Sequence, residues 1–161
     1  MTVVLVEIRE LAPGETLRLA FEESVALVSD GSTVETPAHG QVQLHRRVRS
    51  VRLQGHVEAD MPLICSRCLG NVTGRLAVDL DEEFSLGEAP PPHGGELGPE
   101  DFVSWIGTDQ PLDIGEIVRQ HLQLAVPMAP LCRPECRGLC PVCGANWNDL
   151  LCDHYWTERG G

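Results

Sequence analysis

The sequence predicts an α+β fold: a small antiparallel β-meander, one packed helix and a C-terminal cysteine-rich module. Three observations predict it. Apolar and polar positions alternate strictly from Ser50 to Leu63, an apolar stripe at helical spacing runs from Ile114 to Ala125, and five of the seven cysteines follow residue 131.

The alternating stretch comes first. Val51, Leu53, Gly55, Val57, Ala59, Met61 and Leu63 share one parity, and Ser50, Arg52, Gln54, His56, Glu58 and Asp60 occupy the other. Side chains of a strand point alternately to opposite faces, so this is a half-buried strand. Past the segment CSRCLGN the alternation resumes at Val72, Leu76, Val78, Leu80, Phe84 and Leu86. Two such strands joined by a short turn make an antiparallel hairpin with Cys65 and Cys68 at its tip. A strand over Val42 to Val48 extends the meander, and Thr2 to Ile8 reads as another, closed by Pro13-Gly14. From Thr16 to Val28 the pattern fits both periods. Leu17, Leu19 and Phe21 alternate, whereas Phe21, Val25 and Val28 fit a helix; the strand is preferred, with a turn at Asp30-Gly31.

Residues 87–100, GEAPPPHGGELGPE, are too rich in Pro and Gly to pack and read as a flexible loop, with His93 as a solvated loop residue. Beyond it Ile114, Ile117, Val118, His121, Leu122 and Ala125 make the helical stripe. Asp113 and Glu116 have capping-box spacing, Pro127 ends the helix, and His121 reads as a satisfied core histidine. The whole is one domain in three segments. Residues 1–86 are the β region carrying the first Cys-x-x-Cys, 87–100 the loop, and 101–161 the helix and the cysteine module.

Charge narrows the function. The formal net charge is −12, from 24 acids and 12 basic residues, all arginine. Such a chain is repelled by phosphate backbones and favours a basic protein partner, although a local basic patch is compatible with RNA. The start, MTVVLVEIRELAPGE, lacks a basic n-region and a small-residue cleavage site, so no secretory leader is expected. Without an apolar run long enough for a transmembrane helix, the expected location is the cytoplasm.

In a reducing compartment clustered cysteines read as metal ligands rather than disulfides. Cys65, Cys68, Cys132, Cys136, Cys140, Cys143, Cys152 and His154 make eight donors, enough for two tetrahedral zinc sites. Two divisions are open. One puts Cys65, Cys68, Cys132 and Cys136 together, leaving Cys140, Cys143, Cys152 and His154 as a local second set; this is preferred. The other pairs Cys65 and Cys68 with Cys140 and Cys143, as in a zinc ribbon. One or two zinc ions are expected, two being favoured, and both sets would be closed, leaving no position for a catalytic water. No Walker loop, GxSxG or HExxH occurs. Candidate contacts for RNA or a partner are Arg46, Arg47, Arg49 and Arg52, in a stretch without acids, and Arg67, Arg133 and Arg137 among the cysteines; salt bridges to the many acids are the plainer use. Trp147, Tyr155 and Trp156 have the chemistry to stack on bases, but packing over the cysteines is preferred.

CSRCLGNV, followed by LAVPMAPLCRPECRGLCPVCGANWNDLLCDH, resembles the YceD family of bacterial and plastid proteins over approximately Gln41 to His154. The resemblance implies a factor in accumulation of large-subunit (23S) ribosomal RNA and in ribosome assembly, with no established enzymatic activity. Many members end the motif Cys-x-Cys where this chain has Cys152-Asp153-His154, and carry an aliphatic residue where it has Trp147. Its partners would be ribosomal RNA or a basic protein of the large subunit. The rival readings are a redox or hydrolytic zinc protein and a zinc adaptor between proteins.

Overall fold

The computed structural model describes residues 4–88, 98, 103–107 and 109–159. The chain is mostly sheet with one main helix. Strands β1 (Leu5–Val6), β2 (Thr16–Ser29), β3 (Ser32–Arg46), β4 (Ser50–Ile64), β5 (Asn71–Leu86), β6 (Ser104–Ile106) and β7 (Leu112–Asp113) precede helices α1 (Ile114–Ala125) and α2 (His154–Arg159). A five-stranded sheet runs in the order β2-β3-β4-β5-β6, and β1 pairs with β7.

Alternation decides which face is buried. Odd positions of β2 and β4 and even positions of β3 and β5 face inward, so the ambiguous segment resolves to a strand burying Phe21, Val25 and Leu27. Register agrees: Leu17 opposes Leu44, Leu19 opposes Val42, and Leu44 opposes Leu53. Asp30 and Gly31 both take positive φ, 50° and 75°, between the paired Ser29 and Ser32. That is the type I′ geometry that matches strand twist. Gly55 is required by close approach, since a Cβ there would lie 2.5 Å from the Gln41 carbonyl oxygen and 2.8 Å from a Val42 methyl.

Several elements differ from the sequence expectation. The strand expected over residues 2–8 is a two-residue ladder, Leu5 with Asp113 and Val6 with Leu112, and ends where β7 gives way to α1. A 3-10 turn over Ile8–Glu10 follows; residues 1–3 lie outside the described residues. β3 begins ten residues earlier than expected, because its inward positions there are Val34, Thr36, Ala38 and Gly40, mostly too weakly apolar to signal. It stops at Arg46, where the Arg47 N–H bonds Ser50 O and Val48 is left exposed. β6, which joins β5 in parallel, lies outside a pure meander. The 87–100 loop, with His93, falls mostly outside the described residues.

The chain divides into two compact units. One comprises residues 1–59 and 76–125, the other residues 60–75 and 126–161, so the division cuts across the β4–β5 hairpin rather than following chain order. In the first unit α1 buries Ile114, Val118 and Leu122 and packs on β2. The Asp113 carboxylate accepts the Glu116 N–H at 3.0 Å, but the Glu116 side chain turns to Arg119 and Gln120, so only half of a capping box forms. Gln123 lays its amide along the edge of β2, accepting the Val28 N–H (2.7 Å) and donating to the Val28 carbonyl (2.9 Å), as a neighbouring strand would. His121 is partly buried and reaches Glu82 at 3.2 Å. The second unit buries Met61, Leu63, Cys65, Cys68, Cys136, Cys140 and Trp147, with Leu131 and Leu139 packed against Cys65, Cys68 and Cys136.

Candidate metal centre

Two turns of one design present the cysteines. In the first, the Cys65 N–H bonds Gly70 O and the Leu69 N–H bonds Cys65 O, each at 2.9 Å. In the second, the Cys140 N–H bonds Ala145 O (2.8 Å) and the Gly144 N–H bonds Cys140 O (2.9 Å). Each requires a left-handed residue directly after its second cysteine. Gly144 takes that place at φ 73°, which costs a glycine little, whereas Leu69 takes it at 55°, where a side chain costs about 1–2 kcal/mol. A third loop, Cys132 to Cys136, closes through the Cys136 N–H to Arg133 O at 3.0 Å.

These turns gather the eight donors into two groups, each with its ligand atoms within 4.8 Å of one another. They are Cys65, Cys68, Cys132 and Cys136, and Cys140, Cys143, Cys152 and His154. Of the two divisions open in the sequence, the geometry matches the local one. Within the first group Cys65 and Cys136 sulfurs are 3.8 Å apart, and those of Cys68 and Cys132 are 3.7 Å apart. Four sulfurs 2.3 Å from a central ion have tetrahedral edges of about 3.8 Å. In the second group His154 Nδ1 is buried without a hydrogen-bond partner among the described residues, a costly state that a metal bond would relieve. Both groups could hold a metal ion.

Polar groups around Cys65, Cys136 and Cys152 favour their thiolates. The Cys65 thiol is held down to about 6, chiefly by the Cys68 N–H and against burial. Burial pushes Cys136 up, but the Asn148 amide and the Gly138 N–H outweigh it and lower the thiol. Cys132 is pushed up to about 12, first by Cys136 and then by burial, and Cys68 is raised by burial and Cys65 despite the Gly70 N–H. Four sulfurs this close cannot all ionise without a cation among them, so half rise as half fall. In the second group Trp147 Nε1–H donates to the Cys152 sulfur at 3.3 Å and is the chief reason that this thiol falls to about 6.

Trp147 and Asn148 serve both groups at once. Trp147 is buried, meets Tyr155 edge-on at 5.2 Å and donates to Cys152. Asn148, its neighbour, donates from Nδ2 to the Cys136 sulfur at 3.3 Å and to Asn146 Oδ1 at 2.8 Å. Its Oδ1 accepts the Arg137 N–H and an Arg133 guanidinium N–H, both at 2.9 Å. Sequence reasoning missed Asn148; its one signal is a position inside the second cysteine set, which does not announce a bond to the first.

The candidate arginines are largely engaged. Arg52 pairs with both Asp81 oxygens at 2.7 Å, and Arg47 pairs with Glu83 at 2.9 Å. Arg46 donates to the carbonyls of Arg47 and Ser50. Arg67 donates to Cys136 O at 2.9 Å, tying the hairpin tip to the Cys132–Cys136 loop, and Arg133 holds Asn148. The Arg49 and Arg137 side chains are exposed and have no partner among the described residues.

No helix is long and apolar enough to cross a membrane among the described residues. A family profile described as large ribosomal RNA subunit accumulation protein YceD matches residues 53–158. An uncharacterized protein of Mycobacterium tuberculosis is 36% identical over 107 residues, covering 64% of this chain and 50% of its own. A Zea mays protein named large ribosomal RNA subunit accumulation protein YCED homolog 1, chloroplastic, is 29% identical over 145 residues, covering 76% of this chain and 50% of its own. Its Arabidopsis thaliana namesake is 29% identical over 143 residues, covering 73% and 44%. The chain thus spans about half the length of the curated relatives it matches. No solved structure matches it. With the profile spanning the hairpin tip, the helix and both donor groups, the chain belongs to the YceD family.

Proposed function

We propose that the chain is a non-enzymatic, zinc-stapled factor that supports large-subunit (23S) ribosomal RNA accumulation and ribosome assembly in the cytoplasm. One observation carries the metal: two complete four-donor groups, one with sulfur separations that fit a tetrahedral ion. Cys65, Cys68, Cys132 and Cys136 hold one zinc, and Cys140, Cys143, Cys152 and His154 the other. Zinc supplies cross-links here. With four protein donors per ion neither site keeps the open position that metal hydrolysis needs, which argues for a structural role. The link to ribosomal RNA rests on the family and on the names of the plant relatives.

Charge separates the contact surfaces. The unit formed by residues 60–75 and 126–161 contains 5 arginines and 5 acids, while the other holds 7 arginines and 19 acids. The whole formal charge of −12 therefore belongs to the sheet unit, which suits a basic protein of the large subunit better than RNA. A direct RNA contact would fall to Arg49 and Arg137, since salt bridges occupy Arg47 and Arg52, backbone carbonyls Arg46 and Arg67, and the Asn148 amide oxygen Arg133. Depletion followed by gradient sedimentation of ribosomal subunits tests the reading. Loss of large subunits and of their RNA is expected; normal levels of both would sink it.

A further inference from the structure

β2 is the terminal strand of the five-stranded sheet, and Gln123 marks which of its backbone groups face away from β3. The Gln123 amide bonds both the N–H and the carbonyl of Val28. Bonding directions alternate along an antiparallel strand, so the N–H and carbonyl groups of Arg18, Ala20, Glu22, Ser24 and Ala26 point off the same edge. None of these groups has a backbone partner among the described residues. An open edge of this length is a template for another strand.

The side chains along the edge are self-complementary. Even positions of β2 lie on the exposed face, where the strand carries two charges, Arg18 and Glu22, on either side of Ala20. Other charges on this face are matched between neighbouring strands: Arg52 with Asp81 at 2.7 Å, His56 with Asp79 at 2.7 Å and His39 with Glu58 at 3.8 Å. Arg18 stands opposite Gln43 and borders a hollow of about 500 Å³ whose wall holds no carboxylate. Glu22 stands opposite His39, which is turned to Glu58. Neither Arg18 nor Glu22 has a partner among the described residues.

We propose that two copies of this chain pair through β2, edge to edge and antiparallel, with Ala20 opposite Ala20 on the two-fold axis. This register sets Arg18 of each copy opposite Glu22 of the other and Thr16 opposite Ser24, and it joins the two sheets into one. Charge selects it among its neighbours. Centring the pair on Arg18 or on Glu22 sets like charges against each other, and centring it on Leu19 or Phe21 leaves both charges opposite uncharged residues. Gln123 already occupies the edge at Val28, so the pairing ends before that residue. Each copy carries a formal charge of −12, which opposes the approach and makes the dimer weak and reversible.

Sedimentation equilibrium of the full chain, from low micromolar to millimolar concentration, tests this, with amide exchange at Ala20 and Glu22 read in parallel. Wild type is expected to pass from monomer to dimer, and these amides to become protected as it does. Arg18→Glu and Glu22→Arg each set like charges face to face and should weaken the dimer at least about ten-fold. The double variant restores opposite charges with reversed polarity and should recover the dimer, as should an equal mixture of the two single variants. Both side chains are exposed, so every variant should keep the wild-type melting temperature. A wild type that stays monomeric throughout overturns the proposal, as does a dimer that the single variants leave intact or the double variant fails to restore. Protection of these amides that appears only on adding large ribosomal subunits would give the edge to another protein and overturn the choice of a second copy.

Discussion

Asn148→Ala should loosen one metal and spare the other. Asn148 falls between Cys143 and Cys152 in the chain, yet its amide donates to the Cys136 sulfur of the first group at 3.3 Å. A hydrogen bond to a charged acceptor contributes about 1.5–3 kcal/mol, and losing such an outer partner costs about 10–100-fold in metal affinity. On the affinity scale that is about 1.4–2.8 kcal/mol, so the two routes to the magnitude agree. Asn148→Asp separates the roles of the amide. It keeps an oxygen for Arg133 and the Arg137 N–H but sets an anion beside the sulfur, so it should weaken the first site more than Ala does. Trp147→Phe is the converse, deleting the donor to Cys152 and weakening only the second site. A zinc competition titration with a chromophoric chelator, with one- and two-zinc species resolved by native mass spectrometry, reads each loss. If Asn148→Ala and Trp147→Phe both release zinc at wild-type chelator concentrations, the outer amide and indole donors do not hold the metal.

Other outcomes follow from single contacts. Gly55→Ala should cost about 1–3 kcal/mol in thermal or denaturant unfolding, because the new methyl meets backbone at Gln41 and Val42; an unchanged midpoint would show that the strands yield freely. Gln123→Ala removes two bonds to Val28 and should cost about 1–2 kcal/mol, with faster amide exchange at Val28 as the local sign. His56 has its pKa raised above 6.5, chiefly by Asp79 and then by Glu58. A raised folded pKa stabilises fully below the unfolded value and is lost as pH rises through the folded one. His56→Ala should therefore destabilise at pH 5.5 and leave pH 9 unchanged; an NMR titration placing His56 at or below 6.5 would contradict this.

The sheet was legible where alternation was strong. β4 and β5 match their expected spans within about one residue because Val, Leu and Met mark most inward positions. The first half of β3 was hidden because Thr36, Ala38 and Gly40 face inward with little hydrophobicity, so burial there reflects pairing with β2 and β4 rather than a local signal. β1, β6 and β7 are two or three residues long and exist through tertiary pairing, which no local period records. The donor set was legible because cysteine spacing is local chemistry. Its division was preferred correctly but not fixed, since the partners of Cys65 and Cys68 lie more than sixty residues away and are brought in by the Ser66–Pro130 and Arg67–Cys136 bonds. The plainer reading of the arginines held for Arg47 and Arg52, whose acidic partners Glu83 and Asp81 sit on the neighbouring strand β5, some thirty residues on from their own acid-free run.

The central claim is two structural zinc ions in two four-donor sets. Native mass spectrometry of the full chain, purified without chelator, tests it most directly. The expected mass is that of the chain plus two zinc ions, falling to one in Cys136→Ser. A bare chain, or a single zinc retained by both Cys136→Ser and Cys140→Ser, would contradict it.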